Sequence, residues 1–496
     1  MHKWEAGAST VLHDTPAPAA PAATRDSRQA PRRKFFVVPR DVKSLDRWAM
    51  IFVAVIVAAW GLGIVAGFQI ALVILTVFGY LAAVLGLRKP LIGLLGIGML
   101  CTMDAISRVL LLTGGLLRWN SLNYWLLCVI ALNMGFLLKQ RDSQSRFAFL
   151  FVVIMTLGLL LIPARDFEIG AMSVLNVVIF FGVLSYFAFG KRNPRIWYLQ
   201  GLVCGSLAAL GSFVYYMQKS HLPYVNPNAW AYFPLTAIFS ICLGYRFAPR
   251  GWQGQVLCWS LAVANLAWVF LSGSRGSLLV GSACVVFLLL TTRSMSQRVV
   301  YAGLAVVVGL VAITEFTDLN ADAIHRITKL LDPGESIGAR TSGRSDLALG
   351  AWYIFKEHPL GIGTGGFAQA WANMGYRESL SGFAYGKEMQ AHSGWTKTLA
   401  ENGIVGTLFL ACFVFSFAAV GWRRKRFGVW SLGLLATIVF VLAFLSTDFA
   451  GKGLWYFAAG ATILLNLKAI VPRNGSDRIP GHPAPGPHRS FTETRP

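Results

Sequence analysis

From residue 48 to residue 470 the chain is cut into runs of about twenty apolar residues, the length that a hydrocarbon core about 30 Å thick demands of a helix. The runs fall near 48–66, 68–87, 91–112, 121–138, 147–163, 171–189 and 196–217. A second set falls near 229–247, 254–272, 276–292, 299–316, 396–420, 428–446 and 452–470. In lipid no water satisfies the backbone, so each run must close its own hydrogen bonds as a helix. The pattern therefore predicts an all-α, polytopic membrane helix bundle of about fourteen spans. Composition points the same way, with 55% hydrophobic and 13% charged residues, against about 25% charged in an average soluble chain. A soluble enzyme, a disordered scaffold and a secreted disulfide protein are excluded. Cys101, Cys128, Cys204, Cys242, Cys258, Cys284 and Cys412 all lie inside apolar runs without a CxxC pair, a pattern that suits small buried hydrophobes better than disulfides or zinc.

The loops set the orientation. With a cytoplasmic N-terminus, the cytoplasmic segments hold Arg25 to Arg47, Arg88–Lys89, Lys139–Arg146, Lys191–Arg195, Arg246–Arg250, Arg293–Arg298, Arg423–Arg426 and the C-terminal tail, and together they account for the whole formal charge of +22. Every alternate loop obeys the positive-inside rule, so the charge is a topology signal and no nucleic-acid partner is expected. The arm 1–47 carries nine basic residues and an Ala/Pro-rich stretch from Thr15 to Ala23. It reads as disordered, attracted to anionic membrane lipid, and without a cleavable signal segment. The tail 471–496 is Pro-rich and reads the same way. Between them the chain divides into a bundle at 48–316, one large outer loop at 317–395 and a last set of spans at 396–470. Both termini are expected on the cytoplasmic side.

Polar residues concentrate on the outer side. The loop 317–395 is long enough to be functional, and it looks ordered. Ser342 is placed to cap a helix carrying Leu347, Ala351, Trp352 and Phe355 at helical spacing, ended by Pro359. The run Pro359–Phe367 then brings four closely spaced glycines. It reads as a tight turn that lets backbone approach a neighbouring span, or as a backbone nest for phosphate. Arg275, in Ser272-Gly273-Ser274-Arg275-Gly276-Ser277, is either a snorkelling interfacial side chain or an anion clamp whose fork matches phosphate oxygens. Arg340 and Arg344 make a second basic point near a helix N-terminus. His392 opens the twelfth span, where an imidazole takes a proton near neutral pH or is merely a polar residue.

Other polar residues have bland and functional readings side by side. Lys397 and Glu401 are four apart and suit a local pair, whereas Glu401 is on the wrong face to reach His392 directly. Asp166 and Glu168 form a D-x-E that is a solvated loop or a metal site. Asp104 and Arg108 are four apart on the third span, an intramembrane pair that is functional or structural. Asn226 and Asn228 meet a substrate, or Asn228 caps the eighth span.

Taken in order, Ser274-Arg275-Gly276 opening a span, the Gly343-Arg344 helix followed by Trp352, the glycine run 359–367, and His392 followed by Glu401-x-Gly403-x-x-Gly406 resemble the O-antigen ligase and O-antigen polymerase superfamily over about residues 225–420. The resemblance departs at Ser393, where an Asn commonly follows the His, and in having more spans than the usual dozen or so. It implies a GT-C-like bundle in the bacterial inner membrane with a periplasmic active face. It implies inverting transfer of a glycan from a polyprenyl (undecaprenyl) diphosphate donor to an acceptor hydroxyl on lipid A–core or on a growing glycan, without cofactor or metal. Arg275 and Arg344 would then stabilise the diphosphate and His392 would be the general base. Arg340, Asn228, Asp104 and Arg108 remain as candidate substrate contacts. A polymerase of the same superfamily is the near alternative, and a flippase or transporter is the competing class, disfavoured because no internal repeat is visible.

Overall fold

The computed structural model describes residues 42–110, 125–126, 128–130, 142–162, 167–189, 194–218, 227–248, 252–292, 294–315, 334, 341, 343–374, 388–423, 434, 436–439, 441–443 and 451–466. The chain divides into two units, Met1–Arg40 and Asp41–Pro496, and everything described belongs to the second. Among the described residues every regular element is helical. In chain order they are α1 (Val42–Ala66), α2 (Phe68–Leu85), α3 (Pro90–Leu110), α4 (Ser143–Leu161), α5 (Phe167–Phe189), α6 (Arg195–Gln218) and α7 (Pro227–Gly244). There follow α8 (Trp252–Leu271), α9 (Arg275–Thr291), α10 (Met295–Glu315), α11 (Arg344–Glu357), α12 (Phe367–Ala372), α13 (Gly394–Arg423) and α14 (Gly451–Asn466).

Among the described residues seven helices are long and apolar enough to cross a membrane, on α1, α2, α4, α5, α6, α8 and α13. The other expected spans are less clear-cut. Helix α9 has 17 residues and α14 has 16, about 24–26 Å at 1.5 Å per residue, short of the hydrocarbon thickness. Helix α7 carries Pro234 inside it. The expected spans at 121–138 and 428–446 are described only in pieces, at 125–130 and 434–443. Seven spans are thus met by length and composition, where about fourteen were expected.

The first two runs, almost contiguous in sequence, are separate helices because Gly67 takes φ 113 between them. Gln218, at the end of α6, closes that turn from outside. Its Nε2 donates to Gly63 O (2.6 Å) and Ile64 O (3.1 Å), and its Oε1 accepts from Phe68 N (2.7 Å). Groups that the ends of α1 and α2 would leave unsatisfied are thereby paired. Inside the bundle, α6 packs on α7 and α1, α13 runs along α4, and α14 lies against α5 and α3. Polar atoms in this apolar interior find backbone partners: Trp60 Nε1 donates to Leu207 O (3.1 Å), and Tyr186 Oη to Ala83 O (2.7 Å). Five of the cysteines are buried as expected, but Cys128 is exposed and Cys412 half-buried.

A second, smaller apolar core lies outside the bundle core. Leu347, Ala351 and Ile354 of α11, Phe367 and Trp371 of α12, and Ala391 and Ala400 build it. The buried stripe of α11 is therefore 347, 351, 354; Trp352, expected on that stripe, is 43% exposed and stacks instead near Phe355 and under Lys356. The helix starts at Arg344, one residue after Gly343 in the left-handed region (φ 75). Ser342, expected as its cap, is outside the described residues; Thr341 Oγ1 accepts from Ser345 N (3.3 Å) instead.

The largest departure is in α13. The run 396–420 reads as one continuous span, but Gly403 has φ 61 and ψ −160, and the helix is broken there. Ile404 N, which in an unbroken helix would bond Ala400 O, donates to Pro359 O (3.0 Å). Ala400 O accepts from Ile362 N (3.1 Å), and Glu401 O from Gly363 N (2.9 Å). The glycine run is a backbone splint laid across the break. Of its expected readings, the tight turn against a neighbouring span is the one observed.

Candidate active site

Three helices begin near one another at the candidate site. A sharp turn at Ser272–Ser274 joins α8 to α9: Gly273 has φ 70, and its N donates to Phe270 O (2.9 Å). Arg275 is the first residue of α9, Arg344 the first of α11, and His392 lies two residues before α13. Helix N-termini carry partial positive charge, which favours an anion in front of them.

The charges of these residues act on one another. Arg344 has its pKa lowered, first by burial and then by the positive charge of Arg275. His392 is held below its ordinary value of 6.5, first by burial and then by the charge of Arg344. Side chains from three separate stretches of sequence, 275, 344 and 392, are thus gathered into one electrostatic cluster. Two guanidinium groups held in each other's field form an arrangement that a bound anion relieves. The imidazole beside them is kept neutral near pH 7, the state in which it accepts a proton.

Asn228 joins this neighbourhood. Ser274 Oγ donates to Asn228 Oδ1 (2.7 Å) and lies 2.9 Å from Ser277 Oγ, so Asn228 is tied to the residue next to Arg275. It does not cap α7: Pro227 is already helical, and Asn228 is the second residue of the helix, with its side chain exposed. Ser393, where the family pattern has Asn, accepts from Thr396 N (3.4 Å) as a helix N-cap does, and donates to Leu442 O (3.3 Å).

Several of the remaining candidates are outside the described residues. Asp104 is buried in the bundle and pairs with Lys452 of α14 (2.5 Å), both nearly inaccessible; the side chain of Arg108 is outside the described residues. So are Arg340, Asn226 and Asp166. Glu168 is exposed in the first turn of α5, where a carboxylate suits the helix dipole. Among the described residues no group of three His, Cys, Asp or Glu side chains is close enough to hold a metal ion.

Sequence reasoning missed a buried polar junction behind the site. Lys397, wholly buried, donates to Ser173 Oγ of α5 (3.3 Å). Glu401 Oε1 accepts from Phe367 N, the first residue of α12 (3.3 Å). Thr364 Oγ1 lies 2.8 Å from both Met155 O and Asn402 Oδ1. The available signal was Glu401-Asn402-Gly403 inside an apolar run, since a span that keeps such residues needs partners for them.

These features are those of a multi-pass helical membrane protein, with two arginines and a histidine at the starts of its helices as the candidate site. Residues 260–411 match the family model described as O-antigen ligase. That segment takes in Arg275, Arg344 and His392, so the motif resemblance to the O-antigen ligase superfamily stands where the site lies. It supports a membrane glycosyltransferase activity of the ligase or polymerase type. No curated protein matches the chain.

Proposed function

We propose that this chain transfers a glycan from an undecaprenyl diphosphate donor to a hydroxyl of lipid A–core, at the periplasmic face of the bacterial inner membrane. The bundle around the site is then GT-C-like, with about fourteen spans, the outer loop 317–395 and both termini cytoplasmic. The observation that carries the reading is that Arg275, Arg344 and His392, each at or just before the start of a helix, all fall within the segment 260–411 that matches the O-antigen ligase family model.

As the glycosidic bond to the diphosphate breaks, negative charge grows on the leaving oxygen. Fixed guanidinium groups stabilise that charge without having to reorganise, and Arg275 and Arg344 take this role. The acceptor oxygen attacks the anomeric carbon from the face opposite the diphosphate, so configuration inverts. A sugar hydroxyl is too weak an acid to ionise beforehand, and its proton passes to the neutral imidazole of His392 as the bond forms. Asn228, whose Oδ1 accepts from Ser274 Oγ, takes the part of a substrate contact beside Arg275.

A deletion strain tests the reading. Loss of a ligase leaves long chains on the carrier and none on lipid A; this is the result expected on a gel of envelope glycans. Single repeats attached to lipid A would instead identify a polymerase, and transport of lipid-linked sugar across liposomes by the purified protein, without bond formation, would overturn transfer altogether.

A further inference from the structure

The stretch of α13 that leads from His392 is not held in place by helix continuity. From Gly394 to Asn402 it is nine residues, about 13 Å of helix, and the chain turns away at Gly403. Its orientation comes from lateral ties alone. Gly361 and Gly403 make the backbone part possible, since a Cβ on the first would collide with the Glu401 carbonyl and one on the second with Pro359 O. Side chains complete it. Glu401 ties the segment to the start of α12, and α12 packs through Phe367 and Trp371 on the helix that Arg344 begins. Thr364 ties the glycine run to Met155 O of α4. Its single proton is shared between that carbonyl and Asn402 Oδ1, which also lies 2.8 Å away. Thr364, Glu401 and Asn402 are all at most 3% exposed, so a lost partner leaves a polar atom stranded in an apolar surrounding.

We propose that Thr364, Asn402 and Glu401 are positioning residues: they lock the broken helix α13 against α4 and α12 and thereby set where His392 stands relative to Arg344. This rests on the reading of His392 as the base. Charged groups around the imidazole are Arg344 from α11, with Arg275 behind it on α9, and Lys397 and Glu401 further along α13. None of the three locking residues has a part in the bond-making step itself. Their effect is on geometry, where a shift of about 1 Å is enough to cost about 10²-fold in rate.

The test uses the full chain in lipid nanodiscs with lipid-linked donor, measuring kcat, donor KM and the acid limb of the pH–rate profile per folded enzyme. Thr364→Val keeps the shape and removes the hydroxyl; Thr364→Ser restores it. Glu401→Gln keeps an acceptor for Phe367 N, and Glu401→Ala does not. The expected result is a fall in kcat of about 10- to 100-fold for Thr364→Val and Glu401→Ala, with donor KM little changed and the acid limb shifted upward as the imidazole leaves the field of Arg344. Thr364→Ser and Glu401→Gln should stay near the wild type. A purely structural role would lower yield but leave kcat and the limb of the folded fraction unchanged, and that result overturns the proposal even if His392→Gln is slow. Wild-type turnover in His392→Gln removes the base reading and this proposal with it.

Discussion

Replacing Arg344 with glutamine should slow transfer and move the acid limb of its pH profile upward. Burial first, and the Arg344 charge second, hold the His392 imidazole below 6.5. A base works only unprotonated, so the wild-type rate should stay high down through 6.5 and fall only as pH drops through the depressed value. Without Arg344 one of the two causes is gone. The limb should rise toward 6.5 and stop short of it, because burial remains. The plateau should fall as well: removing one preorganised donor to developing charge costs about 10²–10³-fold, about 2.7–4 kcal/mol of barrier. Arg275→Gln separates the two effects. Arg275 bears on Arg344 rather than on His392, so that variant should lose plateau rate while its limb moves far less. The assay is transfer by purified protein in nanodiscs from about pH 5 to 8, the window in which His titrates. A wild-type limb at or above 6.5, or limbs that move equally in both variants, would refute the reasoning.

Arg275→Ala should nearly abolish transfer while the protein accumulates normally in the membrane, and Arg275→Lys should recover little, because a point charge does not reproduce a two-pronged contact to diphosphate; near-normal activity of both would remove the clamp. His392→Ala and His392→Gln should both be slower by about 10²–10⁴-fold, measured as turnover at saturating donor. On the proposed reading the guanidinium groups supply the positive charge at the leaving group, so transfer should survive EDTA; loss that Mg²⁺ or Mn²⁺ restores would revive Asp166 and Glu168 as ligands. Asp104→Asn removes the carboxylate that pairs with the buried Lys452, which should destabilise the bundle by about 3–5 kcal/mol. The drop in thermal stability in detergent should be largely recovered by Asp104→Leu with Lys452→Met, and an unchanged melting profile in the single variant would show that the pair contributes nothing.

The bundle was legible because backbone in lipid has one economical solution, and a window of about twenty apolar residues detects it. The candidate site residues stood out for a different reason. Arg275, Arg344 and His392 each stand at or just before the start of a helix next to small residues, where each also has a bland reading, and the ordered set of motifs around them is what singled them out. What hydropathy counting passes over is the interruption of a span, because a mean over 396–420 is hardly lowered by one glycine. Yet Gly403 costs two backbone bonds, and the chain recovers them from a loop some forty residues earlier, through Ile362 and Gly363. That exchange needs glycines on both strands, a carboxylate at 401 and a hydroxyl at 364, none of which has a meaning until the two segments are side by side. The same holds for Asp104: its pairing with Lys452 exists only because α14 returns to α3. Local spacing therefore singled out the candidate groups at 275, 344 and 392, whereas the ties across the break in α13 and the Asp104–Lys452 pair depend on contacts between residues far apart in the chain.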